Sequence, residues 1–307
     1  PGHKDFRRRL NAMGIEWHEM LPFAPLHGQI RRPDLRNHRK LLVVDGREAY
    51  IGSHNLVAPD YDTPSFQKAG ITYDDTSVSL TGRIVTQIEA VFALDWHYAC
   101  KEVLTPADLT PPTAREEDER EDTPASSMQI IPSGPAFRGE PNLRAFVHMV
   151  SSARSHVSIA SPYFIPDEAL LAAMTSAAYR GVEVELFVGK ESDQFIVSHA
   201  QRSYYSALLA AGVRIYLYPS PTVLHSKYMT VDDEVGVIGS SNMDFRSFAL
   251  NYEVMLLAFG GDLDDLLRIN DADYRATCTE LTPELWATEP WYNRYVDNVC
   301  RLMSAVL

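Results

Sequence analysis

The chain has 307 residues, 45% of them hydrophobic and 22% charged, a length that predicts two domains with cores of their own. Its longest apolar runs, such as Leu41 to Val44 and Val254 to Phe259, fall far short of the roughly 20 residues a membrane-spanning helix needs. A formal charge of −13 argues against a protein built to hold long nucleic acids, which needs a basic face to displace counterions.

The chain begins at proline and carries no signal-peptide pattern, so it is expected to be a piece of something longer. Three strand-like runs come first, HRKLLVVD, EAYIGSHN and DTSVSLTG, followed by the helix-like GRIVTQIEAVFALDWHYAC. Thr105 to Ser127 is rich in proline and small polar residues and carries seven acidic residues against two arginines. Having little to bury, it reads as an acidic, disordered linker over 105–127, between a first domain at 1–104 and a second at 128–307. Downstream, MQIIPS, HVSIASPYF, VEVELFVG and VRIYLYP alternate with helical patterns at Asn142 to Ser155, Glu168 to Arg180 and Phe195 to Ala211. This alternation predicts an α/β domain with a largely parallel sheet. HSKYMTVD, EVGVIGSSN and NYEVMLLAF then repeat the three-strand order of the first half, with a helix beginning near Asp262. The chain therefore reads as an internal duplication. Aligning Gly14 with Gly212 gives the second half 84 residues from Met128 where the first has 13 from Pro1, so about 71 residues of the first domain are expected to be missing.

The two halves share a polar constellation. His38, Lys40, Asp45, Gly52, Ser53 and Asn55 are matched by His225, Lys227, Asp232, Gly239, Ser240 and Asn242, at identical offsets of 2, 7, 14, 15 and 17 from the histidine. Residues two apart on a strand share a face, so each His and Lys can point into one cavity. The adjacent residues His3, Lys4 and Asp5 diverge on any regular element and are assigned to solvent.

Lysine and asparagine donors suit a phosphodiester whose charge spreads over oxygens in the transition state, with Asn55, Asn242, Ser53 and Ser240 as phosphate-binding candidates. A pair of histidines supplies a nucleophile and a proton donor, and the reaction needs neither metal nor cofactor. The eight histidines outside the motifs lack metal-ligand spacing. An orienting carboxylate is expected beside each catalytic histidine. Glu253, 28 residues after His225, fits that role in the second half, and Asp75, in preference to Asp74, in the first. Asp45 and Asp232 complete the motifs as catalytic-set candidates, although aspartate at the head of a tight turn is common for structural reasons. Cys100, Cys278 and Cys300 read as free thiols.

These residues resemble the duplicated signature of the phospholipase D superfamily, and the strings NHRKLLVVDGREAYIGSHN, FALDWHYA, IIPSGP, SPYFIPDEALL, RSYYSALLAAGVRIY and VIGSSNMDFRSFALNYEV are more similar to bacterial cardiolipin synthases than to nucleases. The resemblance implies an α/β fold of two duplicated phospholipase D-like α/β sandwich domains packed about a pseudo-twofold axis, the first truncated at its N-terminus. It implies a phosphatidyltransferase joining two phosphatidylglycerol molecules into cardiolipin plus glycerol through a phosphohistidine, with His38 as nucleophile and His225 as acid/base. The alternative is a phosphodiesterase of the same fold hydrolysing phospholipid or nucleic acid. Expected partners are a phospholipid substrate and an anionic membrane surface, with no nucleic acid. The expected location is the bacterial cytoplasmic membrane, catalytic domains on the cytoplasmic side and any anchor outside this chain. Ser53, His54 and Ser226 depart from the common glycine, aromatic residue and alanine of the pattern. Tyr163, Phe164, Tyr204, Tyr205 and Phe248 are candidates for an acyl-chain groove, with a core role as the default, and Arg246 for a headgroup contact. Arg7 to Arg9 and Arg31 to Arg32 are candidate contacts with an anionic bilayer, with solvated faces as the default.

Overall fold

The computed structural model describes residues 2–21, 32, 34–56, 68–105, 126–191 and 194–303. Most of the linker and part of the loop after Asn55 lie outside the described residues. The first half contains helix α1 (Gly2–Ala12), strands β1 (Arg36–Asn37), β2 (Leu41–Val44), β3 (Glu48–Gly52), β4 (Thr72–Asp74) and β5 (Ser77–Thr81), and helix α2 (Arg83–Cys100). The second continues with β6 (Ser127–Ser133), α3 (Pro141–Ser152), β7 (His156–Ala160), β8 (Phe164–Ile165), α4 (Glu168–Tyr179) and β9 (Glu183–Gly189). After them come α5 (Phe195–Arg202), α6 (Tyr205–Ala211), β10 (Arg214–Tyr218), β11 (Thr222–Leu224), β12 (Tyr228–Val231), β13 (Val235–Gly239) and β14 (Met243–Asp244). A π-helical turn (Arg246–Leu250) leads into β15 (Asn251–Phe259), and the chain ends in α7 (Leu263–Thr277), β16 (Thr279–Leu281), α8 (Pro283–Ala287) and α9 (Trp291–Arg301).

A nine-stranded sheet runs β1-β15-β13-β12-β7-β9-β10-β16, with β6 also paired to β15. It is mixed rather than largely parallel. Only β7, β9 and β10, joined by helical crossovers, and the short β1–β15 pair run parallel, whereas β12, β13 and β15 have short connections that reverse the chain and make antiparallel ladders. Strand β15 buries every residue from Asn251 to Ala258, as a central strand covered on both faces must.

The helical pattern expected to run from Phe195 to Ala211 is broken into α5 and α6, and both pack on one side of the large sheet with α3 and α4. Phe164, Tyr204, Tyr205 and Phe248 are buried in this core and Tyr163 packs against it, so the groove reading of these aromatics gives way to packing. The other core is shared between the halves. Ala49, Ile51 and Leu80 of the β2-β3-β5 sheet and Ile84, Val85, Ile88 and Val91 of α2 pack with Ala160, Phe187, Tyr228, Ile238 and Leu256 of the large sheet. Spacing of the α2 residues along one helix face explains why that helix forms there. Docking of the halves is thus part of the hydrophobic core, not a wet contact between two finished domains. The three cysteines are free thiols.

Candidate active site

The two His-x-Lys segments enter the site by the same local device, each using a strand of the opposite half. Strand β1 pairs in parallel with the start of β15, and the backbone N–H of His38 extends that ladder to the carbonyl of Tyr252 at 2.9 Å. Strand β11 pairs in parallel with β4, and the N–H of His225 extends it to the carbonyl of Asp74 at 2.8 Å.

The next residue on each guiding strand is the carboxylate. His38 Nδ1 lies 2.9 and 3.1 Å from the two oxygens of Glu253, and His225 Nδ1 lies 2.5 Å from Asp75 Oδ1. The orienting pairs are therefore crossed between the halves, which corrects the within-half pairing expected from sequence. The residues were legible, but which half each carboxylate serves depends on parallel pairing between distant two- and three-residue strands. A carboxylate only accepts, so each histidine donates its Nδ1–H and leaves Nε2 for chemistry.

Both lysines turn back on their own motif. Lys40 Nζ donates to the carbonyl of His38 at 2.7 Å, and Lys227 Nζ to that of His225 at 2.6 Å. Burial pushes Lys40 down to about 8 against the opposing pull of Glu253 and Asp75. Burial and the Lys40 charge push the fully enclosed Lys227 well below its ordinary value. Burial and Lys227 likewise lower His225 to about 4, overcoming its Asp75 bond. Burial works against ionisation of Asp75, yet the hydrogen bond and charge of His225 hold it at about 2. The mutual influence of Lys40, Lys227, His225, Asp75 and Glu253 marks one electrostatic centre.

The motif serines do not reach toward substrate. Ser53 Oγ donates to Asp75 at 2.7 Å and accepts the N–H of Thr76, while Ser240 Oγ donates to Glu253 at 2.5 Å and accepts the N–H of Val254. Both are fully buried, so their expected phosphate-binding role is corrected to one of fixing the carboxylates. Asn242 is buried and spends one Nδ2 hydrogen on Asp244 at 3.2 Å, while Oδ1 has no partner among the described residues. Its second Nδ2 hydrogen has no acceptor among the hydrogen bonds of the described residues. Asn55 is half-buried, three residues past the end of β3.

Asp45 and Asp232 stand away from this centre. Each lies five residues beyond its motif lysine along extended chain, roughly 16 Å at strand rise. Asp45 is exposed at φ 52° and Asp232 sits at φ 55°, left-handed turn conformations that aspartate tolerates. The Asp232 carboxylate accepts the N–H groups of Arg154 and Ser155 at 2.7 Å and of His156 at 2.9 Å. Asp232 binds backbone and Asp45 marks a turn, so neither belongs with the catalytic set. The motif glycines have a steric reason. A Cβ at Gly52 would collide with the carbonyl oxygen of Thr76, and one at Gly239 with that of Val254.

The middle residue of each His-x-Lys segment, whose role the sequence reading did not assign, ties the halves together. Arg39 pairs with Asp95 of α2, donates to the carbonyls of Glu253 at 3.0 Å and Ser133 at 3.1 Å, and lies over the Phe137 and Tyr252 rings. Ser226 meets Thr76 Oγ1 at 2.8 Å and Tyr274 OH at 2.9 Å. Tyr274 in turn donates to Asp74 Oδ1 at 2.8 Å, and Tyr218 to Asp74 Oδ2 at 3.0 Å. Asp74, half-buried beside Asp75, is thus held by two tyrosine hydroxyls. A charged or hydroxyl side chain between two motif residues was the available signal, but its partners are remote in sequence. Arg246 donates to the carbonyl of Asp34, where a headgroup contact was expected. Among the described residues no three His, Cys, Asp or Glu side chains are grouped to hold a metal ion, and no helix is long and apolar enough to cross a membrane.

The family described as "Cardiolipin synthase, PLD-like domain" matches residues 146–268, a span that contains the second motif. The chain is similar to the cardiolipin synthase of Halalkalibacterium halodurans, 36% identical over 310 residues, covering 99% of this chain and 58% of that protein. Cardiolipin synthase A of Yersinia pseudotuberculosis is 36% identical over 317 residues, covering 100% of this chain and 63% of that protein. The chain thus spans about three-fifths of the length of these curated relatives. The solved phosphatidylserine synthase of Haemophilus influenzae superposes with a TM-score of 0.64 at 15% identity, over 90% of this chain and 72% of that one, and shares its fold. With the paired motifs converging on one centre, the chain is similar across both motifs to cardiolipin synthases, and over residues 146–268 to their phospholipase D-like domain.

Proposed function

We propose that this chain is the catalytic part of a cardiolipin synthase-type phosphatidyltransferase that joins two phosphatidylglycerol molecules into cardiolipin and glycerol. In this reading residues 1–104 and 128–307 are two phospholipase D-like repeats joined by the linker at 105–127, and the work is done at a bacterial cytoplasmic membrane. The observation that carries the reading is the crossed pair, His38 with Glu253 and His225 with Asp75, around the buried Lys227 and the half-buried Lys40. Similarity to cardiolipin synthases on both sides of the linker supports the lipid substrate over nucleic acid.

Nε2 of one histidine attacks phosphorus, the bond to the glycerol oxygen breaks, and the other histidine gives that oxygen its proton. In the return step the second histidine takes the proton of an incoming phosphatidylglycerol hydroxyl, whose oxygen displaces the phosphohistidine. Lys40, Lys227 and the free Asn242 hydrogen face the charge that grows on the phosphoryl oxygens. The resemblance gives His38 the nucleophilic role. One observation favours the reverse order: His225, lowered to about 4, is neutral at pH 7 with its Nε2 lone pair free, the form a nucleophile needs and a proton donor lacks.

Incubating the protein with phosphatidylglycerol liposomes should yield cardiolipin and glycerol by mass, and denaturation without acid during turnover of phosphate-labelled lipid should leave label on one histidine. Label on His225 selects the reverse order. Phosphatidic acid as sole product would establish hydrolysis, and DNA cleavage that vanishes in His225→Ala would establish the nuclease alternative.

A further inference from the structure

Helix α9 (Trp291–Arg301) is built inside out. Its buried side chains are Asp297 and Cys300, and the Asp297 carboxylate accepts from His199 Nδ1 at 2.6 Å and Arg202 Nε at 3.4 Å. Asn293 donates to Glu289 at 2.6 Å. At about 100° per residue, Trp291, Tyr292, Tyr295, Val299 and, one residue past the helix, Leu302 fall within a single arc of about 100°. Trp291 is 79% exposed, Tyr295 66% and Leu302 84%. A surface helix ordinarily turns such a stripe to the core and its polar side to water. Here the inward side carries Asn293 and Asp297 beside Val296 and Cys300, and the larger apolar side chains face out.

The charges beside the stripe are of one sign. Arg294 and Arg301 lie along one edge of it, and the helix's single acidic residue, Asp297, is buried on the other side. Arg294 gives its guanidinium to the carbonyls of Trp286 and Ala287, and Arg301 packs over the Tyr204 ring 4.4 Å from its centroid, so neither partner cancels the charge. The basic residues of α1 are differently placed, since Arg7 pairs with Glu19 and Arg8 with Asp5.

We propose that α9 docks the protein on an anionic phospholipid surface, its aromatic rings at headgroup level, Val299 and Leu302 against the acyl boundary, and Arg294 and Arg301 facing the lipid phosphates. Tryptophan and tyrosine, each with an apolar body and a polar edge, suit that boundary, and a one-sided helix lying in the interface plane is the form such contacts take. Charge complementarity selects this occupant. A protein of net charge −13 is repelled as a whole by an anionic bilayer, and this face meets it with cations and no exposed carboxylate of its own. The inference rests on the lipid-transferase reading and names the surface through which that enzyme meets its substrate.

The test measures binding and catalysis separately on the same 307-residue chain. Sedimentation with phosphatidylglycerol-containing vesicles should show W291S/Y295S/L302S losing partition on the order of 100-fold, because three largely exposed apolar side chains no longer leave water. Turnover of a short-chain phosphatidylglycerol kept below its micelle concentration should be unchanged. In the unsubstituted protein, bromine-labelled lipids should quench tryptophan emission, and W291F should remove most of that quenching while keeping vesicle binding. Retained binding by the triple variant, absent quenching, or absent binding by the parent chain overturns the proposal. So does a parent dimer that the triple substitution dissociates without any effect of vesicles, which would assign the face to a second copy. If neither protein turns over the short-chain lipid, the catalytic reading fails while vesicle binding and quenching still decide the docking.

Discussion

Replacing Asp75 by asparagine keeps the shape of the His225 partner and removes its charge. At 2.5 Å between ring nitrogen and carboxylate oxygen the charge centres lie about 4 Å apart, and at an effective dielectric near 20 their attraction is on the order of 4 kcal/mol. That attraction acts on the positive ring that forms whether His225 takes a proton or a phosphoryl group. Losing most of it should lower the turnover number by about 10²- to 10³-fold, with substrate affinity little changed. The asparagine amide can also donate to Nδ1, which drives the remaining proton onto Nε2 and works in the same direction. Single-turnover kinetics measures the rate, and nitrogen chemical shifts of the two imidazoles identify which ring responds. With crossed pairing, Asp75→Asn moves the His225 resonances and leaves those of His38, and Glu253→Gln does the reverse. A response of His38 to Asp75→Asn, or a rate loss under 10-fold, would refute the reasoning.

The remaining predictions concern the lysines, the hydrogen bonds around Asp74 and the turns. Activity should fall as pH rises through about 8, where Lys40 loses its proton and with it the charge facing the phosphate; a pH–rate profile in which Lys40→Arg moves this limb upward checks the assignment. Below neutrality the His225 limb should appear only near about pH 4, since the ring stays neutral above it. Tyr274→Phe leaves Asp74 Oδ1 and Ser226 each short of a partner and should cost about 1–3 kcal/mol in denaturant unfolding, with a smaller fall in turnover than Asp75→Asn. Asp232→Ala strips three backbone N–H groups of their acceptor and should cost about 2 kcal/mol of stability while sparing the turnover number of folded protein. Asp45→Asn, which keeps a residue tolerant of φ 52°, should be silent in both assays.

Sequence carried the site further than it carried the fold. His38 and His225 with their lysines were legible because two copies at identical spacing leave little room for coincidence, and Asp75 and Glu253 because a reactive histidine needs a carboxylate. Their crossing was not legible: it follows from β1 joining β15 and β11 joining β4, pairings of two and three residues across gaps of over 140 positions. The serines misled because a hydroxyl fits a phosphate as readily as a carboxylate, and only burial separates the two. The parallel sheet was overestimated because the strand–helix alternation holds for β7, β9 and β10 alone, while β12, β13 and β15 follow one another through short connections and pair antiparallel. Helix α9 escaped notice because its apolar stripe faces the side where polar residues belong.

Crossing the carboxylates between halves also makes the chemistry conditional on assembly. A partly folded chain in which only one half has formed holds a histidine without its acceptor and a lysine without its counter-charges, so neither ring is fixed in the tautomer that exposes a reactive nitrogen. On the proposed reading, catalytic competence then appears only with docking of the halves. The same arrangement constrains change over time: an alteration in either half is felt first by the reactive group of the other, so the two cannot drift independently.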